Sequence, residues 1–287
     1  MRFAFQLSSH LPLWLLHGLG TVLGWLIYLA SPVYRQRFNE NTRQAGLSWV
    51  ARFGAVAAAG KLVTELPWVW LRPPSQVQAQ VQWDGAEHVE RAMQEGRGII
   101  FLTPHIGCFE VTPQSYAARF GVKGPEIVVL YRPSRFAWLE RVLHQVRHAP
   151  GMRPVPTTLA GVRQLLKALR SGGAVGLLPD QVPGQDMGVW APFFGRPAYT
   201  MTLAIRLARQ TRAVVLIARS ERLSFGRGFR VHVAPPVLLG EGDDVAAATL
   251  LNQQLESSIR QRPDQYLWAY ARYKQPRAAA PQDAGKL

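Results

Sequence analysis

The residues best equipped for chemistry are a histidine and a glutamate five positions apart, in the stretch Phe101-Leu102-Thr103-Pro104-His105-Ile106-Gly107-Cys108-Phe109-Glu110. On one continuous helix that spacing sets the two side chains about 140° apart. They therefore meet only if His105 sits on a loop and Glu110 in the first helical turn, and Pro104 and Gly107 supply the break. A carboxylate bonded to one ring nitrogen fixes the tautomer, and the other nitrogen can then take a proton from a bound hydroxyl. This is the logic of a Ser-His-Asp triad in which the substrate's own alcohol replaces the serine. The plain alternative is a strand-end histidine that hydrogen-bonds a backbone carbonyl. Cys108, the single cysteine, is expected to be a small apolar filler rather than a nucleophile.

The elements that must position this pair are readable on either side of it. Ile99, Ile100, Phe101 and Leu102 form an apolar run without alternation, expected as a strand buried on both faces and stopped by Thr103-Pro104. Further strands are expected at 126–131, 174–178, 213–218 and 229–234. Helical patterns lie at 86–95, 112–120, 135–147, 159–171, 200–210 and 245–260. Such alternation predicts an α/β fold with a mostly parallel sheet covered by helices on both faces. Ligands in such sheets bind at the carboxyl ends of the strands. Arg132 follows one predicted strand, and Asp180 with Gln181 another, so all three fall on the edge expected for His105.

The chain has 287 residues, 48% of them hydrophobic, enough for one large α/β domain. Its formal net charge of +15 favours partners with phosphates or acidic surfaces, and all but five of the basic side chains are arginines. One cysteine excludes an intrachain disulfide framework and a cysteine-rich zinc site. Residues 11–31 are uncharged over about the ~20 residues a bilayer-spanning helix needs. They are expected to span or embed in a membrane; the other reading is a core helix of a soluble fold. Arg35, Arg37 and Arg43 against Glu40 place the rest of the chain on the cytoplasmic side. Residues 49–71 read as a helix with a large apolar face, halted near Pro67, lying on the membrane or against the domain. The expected division is a membrane segment at 1–34, one catalytic domain at 35–274 and a disordered tail at 275–287.

The block FLTPHIGCFE resembles the H-x4-D/E signature of glycerolipid acyltransferases, and specifically of the bacterial lipid A late acyltransferases. The resemblance covers nearly the whole chain through VLYRP at 129–133, GLLPDQ at 176–181, APFFGRPAYT at 191–200 and PDQYLWAYARYK at 263–274. One departure is local, since members often carry Asn and Trp where this chain has Cys108 and Phe109.

That resemblance implies a glycerol-3-phosphate acyltransferase-like fold and transfer of a fatty acyl group from acyl carrier protein, or coenzyme A, to a hydroxyl of a lipid A precursor. The site would be the cytoplasmic side of the bacterial inner membrane, with no metal and no cofactor beyond the acyl donor. It implies His105 as base and Glu110 as partner of the imidazolium. Arg132 would hold a phosphate or the developing oxyanion, unless it is a surface arginine capping a loop. Asp180 and Gln181 would bond the sugar, brace the histidine loop, or simply begin a turn before Pro183-Gly184. Phe193 and Phe194 would line an acyl slot, dip into the membrane or fill a loop core. Arg272, near Trp268, Tyr270 and Tyr273, would contact phosphate.

Two other acyl acceptors fit the same chemistry, a glycerophospholipid precursor or an ornithine-type lipid. The first class typically carries an E-G-T-R block, which this chain lacks. A basic membrane-anchored protein that binds nucleic acid or anionic lipid would account for the charge but not for the ordered blocks. No helix-turn-helix, RNA-binding signature or zinc spacing accompanies it, so nucleic acid is not an expected partner.

Overall fold

The structure is a computed structural model that describes residues 2–131, 138, 140–143, 149–240 and 242–276. Arg132, most of the 135–147 pattern and nearly all of the expected tail lie outside the described residues. Among the described residues there are nine strands: β1 (Val81–Asp84), β2 (Ile99–Leu102), β3 (Ile127–Tyr131), β4 (Met152–Pro156), β5 (Ala174–Leu177), β6 (Gly188–Phe193), β7 (Arg196–Met201), β8 (Val214–Arg222) and β9 (Phe229–Val233). Seven form one sheet in the order β1-β9-β8-β2-β5-β3-β4, and β6 and β7 form a separate antiparallel pair. Every neighbouring pair in the large sheet is parallel except β8 with β9. The expected mostly parallel sheet is therefore present, with β2 and β5 side by side at its centre.

Ten regular helices flank it: α1 (Arg2–Ser8), α2 (Leu13–Ala30), α3 (Pro32–Gln44), α4 (Trp49–Leu71), α5 (Pro74–Gln78), α6 (Ala86–Gln94), α7 (Val111–Tyr116), α8 (Leu159–Arg170), α9 (Leu203–Thr211) and α10 (Asp244–Gln261) among the described residues. Ser31, Ser48, Thr158 and Asp243 accept a backbone N–H at the starts of α3, α4, α8 and α10, satisfying donors the helices leave open. Alternation along β2 shows how both sheet faces are covered. Ile99 and Phe101 pack with Leu16, Trp68, Val89 and Val111, whereas Ile100 and Leu102 pack with Leu165, Ile205, Leu251 and Leu255. All four strand residues are buried, which is why the run lacks a polar period.

Two expectations about local structure are corrected. Helix α4 does not stop near Pro67 but continues to Leu71. A proline inside a helix removes one hydrogen bond and costs about 3 kcal/mol; here Trp68 and Val69 beyond it are each only 1% exposed, and their burial outweighs that loss. The segment around Phe193 is not a loop either: Gly188–Phe193 and Arg196–Met201 pair as a hairpin, with Pro192 opposite Pro197 where neither can donate to the ladder.

Helix α2 packs along α4 rather than standing apart. A Cβ on Gly60 would overlap the Gly20 carbonyl oxygen and the Gly24 nitrogen, so these positions let the two backbones touch. Thr64 donates to the Leu16 carbonyl at 2.7 Å, and His17 meets Glu65 at 3.0 Å. Gly60→Val is expected to lower stability by about 1–3 kcal/mol through overpacking, read as a shifted urea midpoint with an unchanged m-value.

Candidate active site

Strands β2 and β5 run parallel with Leu102 opposite Leu177, so the segments beyond them leave the sheet side by side. His105 lies three residues past Leu102 and Asp180 three past Leu177. The equal offset brings them together. Asp180 Oδ1 accepts from His105 Nδ1 at 2.7 Å, and its Oδ2 accepts the His105 backbone N–H at 2.9 Å. With Nδ1 donating, the lone pair of the neutral ring sits on Nε2. There the side-chain amide of the exposed Gln181 donates to it at 3.1 Å.

Backbone contacts from three sides hold the histidine loop. Leu267 N–H donates to the His105 carbonyl at 3.1 Å, Gly107 N–H to the Gln265 carbonyl at 3.0 Å, and Cys108 N–H to the Ser220 carbonyl at 2.9 Å. Gly107 has φ +60°, and any Cβ there would overlap the Ser220 carbonyl oxygen, so both conformation and space require glycine. Arg222, buried at the end of β8, donates to the Gly107 carbonyl at 2.8 Å and to both Glu65 carboxylate oxygens. Through Glu65 and His17 this ties the loop to α4 and α2.

The Glu110 carboxylate is not the group that holds the ring. It accepts from Trp70 Nε1 at 3.3 Å and, as the residue immediately before α7, lines an adjoining cavity. Its charge still reaches the imidazole. Burial disfavours a charged His105 ring, but the Asp180 carboxylate, the hydrogen bond to it and the Glu110 charge together outweigh that, leaving its pKa above the ordinary histidine value. Burial likewise pushes Asp180 up, and the imidazole and its bonds more than reverse it, so this carboxyl stays below the usual range. Cys108 is fully buried, and burial with the nearby Glu65 carboxylate keeps it a neutral thiol. Cys108→Ser is therefore expected to change kcat/KM by less than about threefold, measured beside the unsubstituted protein.

Two cavities lie beside the pair, one lined by Phe109, which contacts the His105 ring, and the other by His105 and Asp180 themselves. One, of about 240 Å³, is walled largely by apolar side chains including Phe101, Val129, Met152, Leu178 and Phe109, with Gly176 on its floor and Glu110 at its edge. The other, of about 260 Å³, is lined by His105, Asp180, Gln181, Tyr266, Tyr34 and Ala59. The Phe109 ring stands edge-on to His105 with centroids 4.6 Å apart, at the boundary between them.

The remaining expected residues fall elsewhere. Phe193 and Phe194 are core side chains, packed on each other and on Trp268, and do not line the apolar cavity. Arg272 is 3% exposed; its guanidinium donates to the Tyr199 carbonyl at 2.6 Å and to Thr200 Oγ1 at 2.8 Å and lies over the Phe193 ring. It braces the β6–β7 hairpin instead of offering a surface cation. Sequence reading missed Glu65 and Arg222. The one signal was Glu65 itself, the single acid within the apolar stretch 49–71.

A base oriented by a buried carboxylate beside an apolar cavity, on the carboxyl edge of a parallel sheet, suits transfer of an acyl group to an alcohol. The family model for bacterial lipid A biosynthesis acyltransferases matches residues 54–275, and the chain belongs to that family. Membership makes it an O-acyltransferase. Among similar proteins, the lipid A biosynthesis palmitoleoyltransferase of Escherichia coli K12 is 27% identical over 216 residues, covering 75% of this chain and 68% of the relative. The lauroyltransferase of the same organism is 27% identical over 242 residues, covering 83% and 75%. Its myristoyltransferase is 26% identical over 223 residues, covering 75% and 65%.

Proposed function

We propose that the protein transfers a fatty acyl chain from a thioester of acyl carrier protein to a hydroxyl of a lipid A precursor, at the cytoplasmic side of the inner membrane, with the glycerol-3-phosphate acyltransferase-like fold. The observation that carries the reading is the Asp180–His105 pair lining one cavity, with the Phe109 ring between its imidazole and the adjoining apolar cavity. The acyl chain occupies the cavity floored by Gly176, and the acceptor enters beside Tyr34 and Gln181. The acceptor hydroxyl displaces the Gln181 amide from His105 Nε2. As its oxygen attacks the thioester carbonyl, its proton passes to Nε2, and Asp180 stabilises the resulting imidazolium. Collapse of the tetrahedral intermediate breaks the carbon–sulfur bond, and the leaving thiolate takes the proton back. The ester and a free thiol remain, and the base is restored. Glu110 assists by its charge across the Phe109 ring.

Mass spectrometry of membrane lipid from cells with and without the protein tests the acceptor. A lipid A species heavier by one fatty acyl residue is expected only when the protein is present; an unchanged lipid A profile with a new acylated glycerophospholipid or aminolipid would reassign it. The cavity makes a second expectation. Gly176→Val fills the floor and removes burial for about two methylenes; at ~0.8 kcal/mol each this lowers kcat/KM for the longest chain about tenfold. Competition among donors of graded chain length reads the shift.

A further inference from the structure

We propose that α2, α4 and the β8–β9 turn form a flat docking face for an anionic phospholipid bilayer, with α2 lying in the membrane plane rather than crossing it. Length and composition alone would let Leu13–Ala30 span. Its attachments do not. Before its first turn, Arg72 donates to the Ser9, His10 and Leu11 carbonyls, and the backbone at Gly226 abuts Trp14. In its first turns His17 meets the fully buried Glu65, and Leu13 and Leu16 belong to the core beneath the sheet; in its middle the backbone at Gly20 and Gly24 lies against Gly60 of α4. Past its end, Arg35 donates to the Leu29 carbonyl, and Asn41 on the following helix donates to the Trp268 and Tyr270 carbonyls. A helix of this length rises about 27 Å. Both of its ends are fastened to one globular body, which would have to enter the bilayer with them.

The outer face has the form an interface requires. Leu19, Val22, Leu26 and Leu29 recur along α2 at three- or four-residue spacing, and with Trp14 at its start and Val33 on α3 they are all exposed. Trp49 and Phe53 on α4 extend the face, because the Phe53 ring lies 4.2 Å from that of Trp25 on α2. Phe225, at the tip of the β8–β9 turn beside Trp14, is 89% exposed; Trp14 and Trp49 are 61% and 73% exposed. Apolar side chains so placed have no reason to face water, and tryptophan suits the headgroup boundary. The charge around them commits the face to an anionic lipid surface. Before Asp84 the chain carries seven basic residues against Glu40 and Glu65 alone, and Glu65 is spent on Arg222. Arg227 stands beside Phe225 and Arg37 beyond Val33, both exposed.

The face joins the site. Tyr34, next to Val33, and Ala59 of α4 wall the cavity that holds His105, so a lipid acceptor reaches it from the membrane plane. That last step rests on the proposed reaction; the docking face does not.

The test uses the full chain in a bacterial inner membrane. His10→Cys and Gln36→Cys, at exposed positions flanking α2, are treated with a membrane-impermeant maleimide; buried Cys108 contributes no background. Both are expected to react in inverted vesicles and neither in spheroplasts, whereas reaction from opposite sides would mean a spanning helix and overturn the proposal. The triple variant Trp14→Ser, Trp49→Ser, Phe225→Ser is expected to lose at least tenfold in sedimentation with phosphatidylglycerol vesicles, yet to keep turnover on a detergent-dispersed acceptor. Undiminished vesicle binding would overturn the proposal. So would a dimer in lipid-free buffer that the same three substitutions dissociate, since a second copy would then be the occupant. Vesicle binding lost as expected, but with no turnover by any form of the protein, would leave the docking face standing and remove the reaction.

Discussion

His105→Ala is expected to lower kcat/KM by at least about a thousandfold while the protein still folds. General-base catalysis contributes typically 10²–10⁴-fold, and among the described residues His105 is the one imidazole lining either cavity. Folding should survive because Asp180, the group most exposed to the loss, keeps other partners. The backbone N–H of residue 105 still donates to Oδ2 at 2.9 Å, and the Tyr266 hydroxyl lies against the same carboxylate. The measurement is a steady-state rate paired with a circular dichroism melt. A tenfold loss, or a rate loss that tracks unfolding, would mean that the imidazole is not the base.

Asp180→Asn should lower the rate by about 10²–10⁴-fold, as when an orienting carboxylate becomes an amide that can present the wrong hydrogen-bonding partner to Nδ1. It also makes a signed prediction about pH. The ring acts only when neutral, and its pKa in the folded protein lies above the ordinary histidine value because Asp180 and Glu110 overcome burial. Activity of the unsubstituted protein therefore rises with pH through a midpoint above about 6.5. Without the Asp180 charge, burial dominates, the pKa falls, and the rising limb moves to lower pH even as the plateau drops. Glu110→Gln should move the limb in the same direction by less, since Glu110 is the smallest of the contributors. A larger displacement from Glu110→Gln than from Asp180→Asn would return the pairing role to Glu110.

The sheet was legible in the sequence where strands are short apolar runs. Five of the nine strands and the flanking helices α6 and α8–α10 lie within a few residues of their expected positions. β1, with half-buried alternation over only four residues, and the proline-bearing β4, β6 and β7 were not legible. In the site, the strand-end position of His105 and of Asp180 could be read, and bracing of the histidine loop was among the roles open to Asp180 and Gln181. What could not be read was which carboxylate meets the ring. Glu110 is near in sequence, but Asp180 is near in space, because β2 and β5 are neighbours in a sheet whose strand order no local pattern encodes. Arg272 misled for a related reason: an arginine among aromatics looks like an interfacial cation until a hairpin built from Gly188–Met201 folds over it. The Glu65–Arg222 pair joins α4 to β8 across 157 residues, a distance over which single-sequence patterns carry no information.

The most direct measurement is a reconstituted reaction. Purified protein, an acyl thioester of acyl carrier protein and a lipid A precursor are combined, and the lipid product is weighed by mass spectrometry beside the His105→Ala variant. An acceptor heavier by one acyl residue, formed with release of one thiol and absent from the variant, is the predicted result. The same product at an undiminished rate from the variant would contradict the account.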